Sequence, residues 1–180
     1  LRQAVALTRE FSHEFQVPLF LNADHTKSVA AAKAAIDAGF DSVHIDLSRE
    51  MYAKNVADTR AIVQYAQKKK RDINVEGELG YLMTESSKVY KKKIVVPPAS
   101  LTKSDEAVRF VRATVVHRFA PAVGNLHGIA ANRPKLDFAL IRELRRRLPK
   151  KVALVLHGGS GNSPSAFKKA IAAGINNIHI

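Results

Sequence analysis

The sequence predicts an α/β fold built on a parallel sheet. Three near-continuous apolar runs, each leading to a histidine, occur in VPLFLNADH, FAPAVGNLHG and VALVLHGGSG. Such runs are typical of strands that are buried on both faces of a parallel sheet. Segments with helical spacing separate them, so helices and strands alternate along the chain.

A repeated segment supports this fold class. Residues 33–45 (KAAIDAGFDSVHI) match residues 168–180 (KKAIAAGINNIHI), and both copies read as helix, capping glycine and strand. Repeated βα units build the TIM (β/α)₈ barrel. We therefore expect a single domain over residues 1–180 that forms an incomplete barrel of about six of the eight βα units. Six strands cannot close an eight-stranded barrel, and the second copy stops at Ile180, so we expect the N-terminal strands and the C-terminal end to be missing.

The elements of the first half of the chain are assigned from the spacing of apolar residues and from residues that start or end helices. Its predicted helices and strands, in order, are helix 1–15, strand 17–24, helix 28–38, strand 42–47, helix 49–70 and strand 73–79. The second helix is rich in alanine and is stopped by Gly39, which suits a left-handed C-terminal cap. A long connection over 80–101 follows.

The second half continues the alternation. Its predicted elements are a helix to 114 capped by Thr102 or Ser104, strand 119–123, helix 137–148, strand 152–156, helix 164–173 and strand 175–180. The helix over 137–148 places Leu140, Ile141 and Leu144 on one face. The order of elements predicts right-handed crossovers between parallel strands.

Composition limits the classes of function. The 180 residues contain no cysteine, which excludes disulfides and thiolate metal ligands and is compatible with the cytoplasm. The longest apolar runs are far shorter than the roughly 20 residues that span a bilayer. We therefore expect no membrane association.

The net charge of +13 has two interpretations. One is attraction to polyanions, either nucleic acid or phosphorylated metabolites. The other is that cations cluster at helix ends, as in 68–71 and 145–147, where they complement the helix dipole. No aromatic residues interleave with these runs, so we favour phosphate-bearing substrates over nucleic acid.

Three histidines occupy the same place relative to predicted strands. His25, His127 and His157 each follow an apolar run, with glycine or aspartate close by. Three imidazoles from three strand ends can hold one Zn²⁺ and leave a fourth position open for substrate.

Several motifs together resemble the class II, metal-dependent, fructose-bisphosphate and tagatose-bisphosphate aldolases. They are ADHTKS, AAIDAGFDSVHID, VEGELGY, VGNLHG with PKLDF, and LVLHGGSG. The resemblance implies a TIM barrel whose active site lies at the carboxyl ends of the strands. It also implies a cytoplasmic enzyme of glycolysis and gluconeogenesis that acts on a phosphorylated sugar as a homo-oligomer, either a dimer or a tetramer.

The resemblance assigns roles to individual residues. His25, His127 and His157 would be the zinc ligands, and Glu78 a carboxylate near the metal that can serve as an alternative ligand. Asp24 would be the catalytic acid and base for the C4 hydroxyl proton. Three further positions would hold the ketose phosphate: Gly128, Gly158 and Ser160. One catalytic Zn²⁺ is implied, and the family also leaves room for a second or monovalent cation.

The chemistry explains this choice of residue types. Cleavage of the C3–C4 bond of a ketose bisphosphate leaves a carbanion, which Zn²⁺ can stabilise as an enediolate. A carboxylate beside the metal can take the C4 hydroxyl proton. The alternative aldolase strategy is a lysine Schiff base. No lysine lies within or closes a predicted strand, and Lys27 comes nearest, so the sequence favours the metal.

Other polar residues receive weaker interpretations. His44 and His179 lie inside predicted strands and are interpreted as packing residues, whereas His13 and His117 receive no role. Glu76 and Glu78 point to the same side of one strand, and the sequence leaves open which of them faces the metal.

Two positions carry conditions or departures from the family pattern. Asp24 and His25 would face opposite sides of a regular strand, so both reach one site only if the backbone turns there. Thr114-Val-Val-His117 stands where the family usually has Thr-Gly-x-Asp.

Glu85, in the long loop after Tyr81, is a further candidate for the residue that moves the C3 proton.

Three functions remain open at this stage. The leading hypothesis is a zinc-dependent aldolase that cleaves fructose 1,6-bisphosphate to dihydroxyacetone phosphate and glyceraldehyde 3-phosphate. Within this first hypothesis, a tagatose-bisphosphate aldolase of the same family is the alternative. The second hypothesis is an inactive truncated relic that binds metal or phosphate. A basic nucleic-acid-binding protein is the third, motivated by the charge.

Overall fold

The structure, a computed structural model, describes residues 1–69, 72–82, 84, 88–132 and 135–180. Glu85 and Lys70, the expected end of the third helix, lie outside these residues. The described chain forms two compact units, residues 1–78 with 114–117 and residues 79–113 with 118–180. The expectation of one domain over residues 1–180 stays a prediction. Within the described ranges, no helix is long and apolar enough to cross a membrane.

The first unit alternates helices and parallel strands. Its elements are α1 (Arg2–Glu14), β1 (Asn22–Thr26), α2 (Val29–Ala38), β2 (Ser42–Ile45), α3 (Tyr52–Gln67) and β3 (Asn74–Leu79, whose last residue belongs to the second unit). β2 pairs in parallel with β1 on one side and with β3 on the other. All four residues of β2 are buried, as expected of a strand that is covered on both faces.

Local signals set the ends of α2 as predicted. The Ser28 hydroxyl accepts a hydrogen bond from the Ala31 N–H at 3.1 Å, which satisfies one of the free donors at the helix start. Gly39 ends the helix in the left-handed conformation with φ 109°. The short turn that follows leads directly into β2.

The first predicted strand is displaced along the chain. We expected it over 17–24, but β1 covers Asn22–Thr26, and Phe20 is 79% exposed. Asp41 explains where the strand starts, because it holds Leu21 outside the ladder. The Leu21 N–H donates to the Asp41 carboxylate at 2.7 Å, and the Leu21 carbonyl accepts from the Asp41 N–H at 2.9 Å.

His117 has a structural role that the sequence did not suggest. Its backbone N–H donates to the Val75 carbonyl at 3.0 Å, and its ring Nδ1 accepts from the Val75 N–H at 3.1 Å. The imidazole thus takes the place of a backbone carbonyl beside β3. This pair of bonds fixes the start of the strand that carries Glu76 and Glu78.

The second unit contains a parallel sheet and a smaller sheet. Its elements are β4 (Val89–Tyr90), a 3₁₀ turn (Pro98–Ser100), α4 (Ser104–Thr114, whose last residue belongs to the first unit), β5 (Arg118–Pro121), β6 (Ile129–Ala130), α5 (Phe138–Arg147), β7 (Ala153–Leu156), α6 (Pro164–Ala173) and β8 (Asn177–Ile178). β7 pairs in parallel with β5 and with β8. Each unit is therefore a parallel α/β arrangement, which confirms the predicted class.

The pairing of β4 with β6 was not predicted. These two-residue strands are parallel, with Val89 opposite Ile129 and Tyr90 opposite Ala130. A strand this short shows no alternation of polar and apolar residues, so its sequence carries no strand signal. The long connection and the loop after β5 are thereby held together.

Cations at the end of α5 support the helix-end interpretation of the basic runs. Arg145 donates to the carbonyl groups of Val152, Leu148 and Pro149 at 2.7, 3.2 and 2.6 Å. These bonds satisfy carbonyl groups at the helix end and in the turn that follows. Arg147 forms ion pairs with Asp105 and Glu143. Part of the basic charge therefore has a local structural use.

Val115 is expected to be a strained position. It follows the last residue of α4 with φ 58°, in the left-handed region that a β-branched residue rarely adopts. Val115→Gly should raise the free energy of unfolding by about 1 kcal/mol, because relief of strain of about 1–2 kcal/mol exceeds the entropic cost of glycine. Urea unfolding measures this change.

Val115→Ala is the matched control for that substitution. Alanine keeps the Cβ atom and therefore most of the left-handed strain, so it should gain much less than glycine. Val115 is 51% exposed, so loss of its side chain removes little buried area. A destabilised glycine variant would show that the conformation at 115 is not strained.

Candidate metal centre

The backbone turns near the end of β1, which is the condition under which Asp24 and His25 can both reach one site. The pairing of β1 with β2 is irregular between Ala23 and Thr26, and His25 has φ 46°. Because of this turn, Asp24 and His25 both lie against His44. The Asp24 Oδ1 is 3.4 Å from the His44 Nδ1, and the His25 and His44 ring centroids are 4.5 Å apart.

His25 lies beside two buried carboxylates of the first unit. Its Nδ1 is 2.7 Å from Asp46 Oδ2 and 3.9 Å from Glu78 Oε2. The hydrogen bond to Asp46 uses Nδ1 and leaves Nε2 as the nitrogen for a metal, an orientation common among metal-binding histidines. His25, Asp46 and Glu78 each offer a ligand atom within 4.8 Å of the others.

Asp46 is an ionised carboxylate that organises this end of the unit. Burial raises its pKa, but hydrogen bonds from His25, Lys27 and Ser48 outweigh burial and hold the pKa well below its usual range. Since the carboxylate can only accept, His25 Nδ1 must donate to it. Lys27 directly follows β1, and its ammonium group forms an ion pair with Asp46. This contact occupies the Lys27 amine with Asp46, which disfavours it as a Schiff-base nucleophile.

His44 contacts three carboxylates and is more than the packing residue we predicted. Its side chain has no exposed surface, and it lies 3.4 Å from Asp24, 3.9 Å from Glu76 and 3.1 Å from Glu78. Burial lowers its pKa, but the close contacts with Asp24 and Glu78 and the charges of Glu76 and Glu78 raise it to about 10. The surrounding carboxylates therefore favour the protonated imidazole.

Glu78 and Glu76 both lie in the buried face of β3, as their spacing predicted. Their side chains are 3% and 0% exposed. Glu78 lies close to both His25 and His44, and Glu76 lies 3.9 Å from His44. Of the two glutamates, Glu78 is thus placed beside the candidate ligand His25.

The second unit brings together two of the predicted ligands. The ring centroids of His127 and His157 are 5.9 Å apart, and both side chains are largely buried. His179 packs edge-on against His157 with a centroid distance of 4.3 Å. This contact agrees with the interpretation of His179 as a packing residue.

Asn125 connects the two loops that carry these histidines. Its Oδ1 accepts from the Val123 N–H at 2.8 Å, and its Nδ2 donates to the His157 carbonyl at 2.8 Å. The side chain is buried, so both bonds are protected from water. Sequence reasoning missed this residue, because an asparagine in a glycine-rich loop usually signals only a turn.

The glycines of the phosphate motifs have backbone conformations that suit them to close approach. Gly128 and Gly158 have φ 71° and 63°, and Gly158 lies against the carbonyl of Leu126. Ser160, two residues after Gly158, is partly exposed. Glycine at such positions lets backbone N–H groups approach a phosphate, and a serine hydroxyl adds a donor.

The donors of the described residues fit a divalent cation. The first unit brings His25, Asp46 and Glu78 into one cluster, and the second brings His127 and His157 together. Imidazole and carboxylate are the groups with which zinc is bound when thiolates are absent. Convergence of all three histidines on one ion stays a prediction.

Known proteins resemble this chain at the level of sequence. Fructose-bisphosphate aldolases of Geobacillus stearothermophilus and Staphylococcus aureus are each 35% identical over 164 residues, or 91% of this chain. That match covers 54% of each of those proteins. The chain therefore spans about half the length of these curated relatives.

A solved structure shows the same relationship at the level of the fold. The crystal structure of the YdjI aldolase from Escherichia coli K12 matches with a TM-score of 0.81 and 29% identity. The match covers 99% of this chain and 60% of that protein. It confirms the fold class expected from the sequence, a partial TIM barrel.

The family model for class-II fructose-bisphosphate aldolase matches residues 1–180. This family is metal-dependent, in keeping with the imidazole and carboxylate donors of the first unit and the imidazoles of the second. The chain belongs to the class-II fructose-bisphosphate aldolase family.

Proposed function

We propose that this chain supports reversible, zinc-dependent cleavage of a ketose 1,6-bisphosphate, with fructose 1,6-bisphosphate as substrate. The products are dihydroxyacetone phosphate and glyceraldehyde 3-phosphate. The observation that carries the proposal is the cluster of His25, Asp46 and Glu78, in which an oriented imidazole lies beside buried carboxylates. Family membership supplies the reaction class.

The proposed zinc ligands are His25, His127 and His157, with Glu78 as an alternative carboxylate ligand. Asp46 orients His25 by accepting from its Nδ1 at 2.7 Å. When bound, zinc supplies a Lewis acid that stabilises the negative charge left on the ketose after bond cleavage. The ligand set also explains why histidines and carboxylates, otherwise costly to bury, lie close together in the first unit and two buried histidines do so in the second.

Asp24 is the proposed acid and base. In the cleavage direction its carboxylate takes the proton of the C4 hydroxyl, the C4–O bond becomes a carbonyl, and the C3–C4 bond breaks with its electrons going to C3. The side chain is 51% exposed, so a substrate hydroxyl can reach it. Its hydrogen bond with His44 restrains its direction.

The glycine-rich loops are the proposed phosphate-binding elements. Gly128, Gly158 and Ser160 would hold one phosphate of the ketose with backbone N–H groups and a hydroxyl. The positive net charge of the chain favours bisphosphate binding electrostatically. Family membership further leads us to propose a cytoplasmic homo-oligomer.

Asp24→Asn is the test of this mechanism. The substitution should lower kcat for cleavage of fructose 1,6-bisphosphate by about 100- to 10,000-fold, because the amide cannot accept the hydroxyl proton. Zinc affinity should change little, since Asp24 is not a proposed ligand. A coupled assay of glyceraldehyde 3-phosphate release measures kcat, and chelator competition measures zinc.

Asp37→Asn is the matched control, because Asp37 is an exposed carboxylate of α2 whose partners are Tyr65 and Lys69. Full activity of Asp24→Asn would remove Asp24 from the mechanism. A folded wild-type chain that binds zinc without cleaving either substrate would favour the inactive relic. Tagatose 1,6-bisphosphate in the same assay distinguishes the two aldolase activities.

A further inference from the structure

His44 lies where three strands bring their polar side chains to one place. In the register of β2 with β3 it stands opposite Glu76, and the pairing of Ala23 with Val43 puts Asp24 in the neighbouring position on β1. Glu78 lies two residues further along the same face of β3. The imidazole is thus flanked by carboxylates from both neighbouring strands.

The two ring nitrogens of His44 face different carboxylates. Nδ1 is hydrogen-bonded to Asp24 Oδ1 at 3.4 Å, and Nε2 lies 3.1 Å from Glu78 Oε2. The first is the carboxylate proposed to move the C4 proton, and the second is the one proposed beside zinc. One rigid ring therefore lies between the proton-transfer group and the metal-facing group.

We propose that His44 is a positioning residue that fixes the directions of Asp24 and Glu78 at once. This inference rests on the function proposed above, because it assigns His44 its use in that reaction. The ring does not reach the substrate in this role. It acts through the two carboxylates, and each of its nitrogens serves one of them.

A packing role alone does not account for this residue. Its strand neighbours Val43 and Ile45 are fully buried aliphatic residues, which fill space without polar atoms. A buried imidazole among carboxylates carries a desolvation cost that only specific contacts offset. Asp24 has a half-exposed side chain, so the contact with His44 has a direct effect on its direction.

Two substitutions separate the two contacts. The Asn side-chain amide places a donor near the position of Nδ1, and that of Gln places one near Nε2. His44→Asn should therefore keep the contact with Asp24 and lose the one with Glu78. His44→Gln should do the reverse, and neither introduces a group larger than the imidazole.

The experiment compares these two variants with the wild-type chain in zinc affinity, kcat and KM for fructose 1,6-bisphosphate. For His44→Asn we expect zinc affinity to fall about 10- to 100-fold, as for loss of a group that supports a metal site. For His44→Gln we expect zinc affinity near the wild-type value, an unchanged KM, and a kcat lowered about 100-fold by misdirection of Asp24. In the Asp24→Asn background, His44→Gln should have no further effect on kcat.

Equal behaviour of the two variants would overturn the inference, whether both match the wild type or both lose zinc and kcat to the same degree. A folded wild-type chain that binds no zinc would overturn the proposed function and, with it, this use of His44. Zinc binding and cleavage by the wild type, together with equal variants, would overturn the inference alone. The two failures are therefore distinguishable.

A second measurement applies if either His44 variant fails to fold. Long-range ¹H–¹⁵N spectra of the otherwise native chain report the two ring nitrogens of His44 separately. Asp24→Asn should shift the Nδ1 resonance, and Glu78→Gln should shift the Nε2 resonance. Absence of either selective shift would overturn the assignment of one nitrogen to each carboxylate.

Discussion

Replacement of His157 by alanine is expected to weaken zinc binding by more than about 100-fold, since loss of a ligand should exceed the 10- to 100-fold loss seen when a supporting group is removed. His157 is 1% exposed, and its ring centroid lies 5.9 Å from that of His127. Chelator competition with the purified chain measures the change.

His13→Ala is the control for that experiment, because His13 is an exposed residue of α1 with no proposed role. It should bind zinc as the wild type does. Urea unfolding of both variants without zinc separates loss of a ligand from loss of structure. Tight zinc binding retained by a folded His157→Ala chain would show that the second unit does not supply this ligand.

Gly158→Ala is expected to lower the free energy of unfolding by about 3–5 kcal/mol, which combines backbone strain with overpacking. A Cβ atom at Gly158 would lie 2.0 Å from the Leu126 carbonyl oxygen and 2.5 Å from the Leu126 carbonyl carbon. Both atoms belong to the backbone, so a side-chain rotation cannot relieve the contact. The loop before His127 must move, and zinc affinity should fall as well.

Gly161→Ala separates crowding from conformation. Gly161 also has a left-handed φ, 79°, but a Cβ atom there meets nothing within 4 Å. It should therefore cost only the conformational strain of about 1 kcal/mol. Urea unfolding of the two variants gives both values, and equal losses would show that the contact with Leu126 is not what requires glycine at 158.

Helix ends were among the features that the sequence predicted best. The N-cap residue Ser28 and the C-terminal Gly39 act within a few residues of chain, so tertiary context has little influence on them. The alternation of helices and strands was equally predictable, because long periodic segments carry their own signal. Six helices lie among the described residues, each close to a predicted one.

The start of β1 and the small β4–β6 sheet were not predictable in this way. Leu21 belongs to an apolar run, but the side chain of Asp41, twenty residues later, decides its backbone bonds. β4 and β6 meet from loops that are far apart in sequence. Both features depend on contacts between distant residues, which local periodicity does not encode.

The sequence predicted the histidines of the candidate site but not the groups that support them. Strand ends pointed to His25, His127 and His157, but Asp46 received no role although it holds His25. His44 was interpreted through its likeness to His179 in the repeat. The two differ because β1 and β3 present carboxylates to His44, whereas His179 packs against another imidazole.

At His25, the left-handed backbone and the chemistry of the site favour different residue types. With φ 46°, His25 adopts a left-handed conformation that glycine would adopt without strain. Replacement by glycine would therefore relax the backbone, but it would remove the ring whose Nδ1 lies 2.7 Å from Asp46. The bulge thus holds an imidazole at the position where glycine would suit the backbone best.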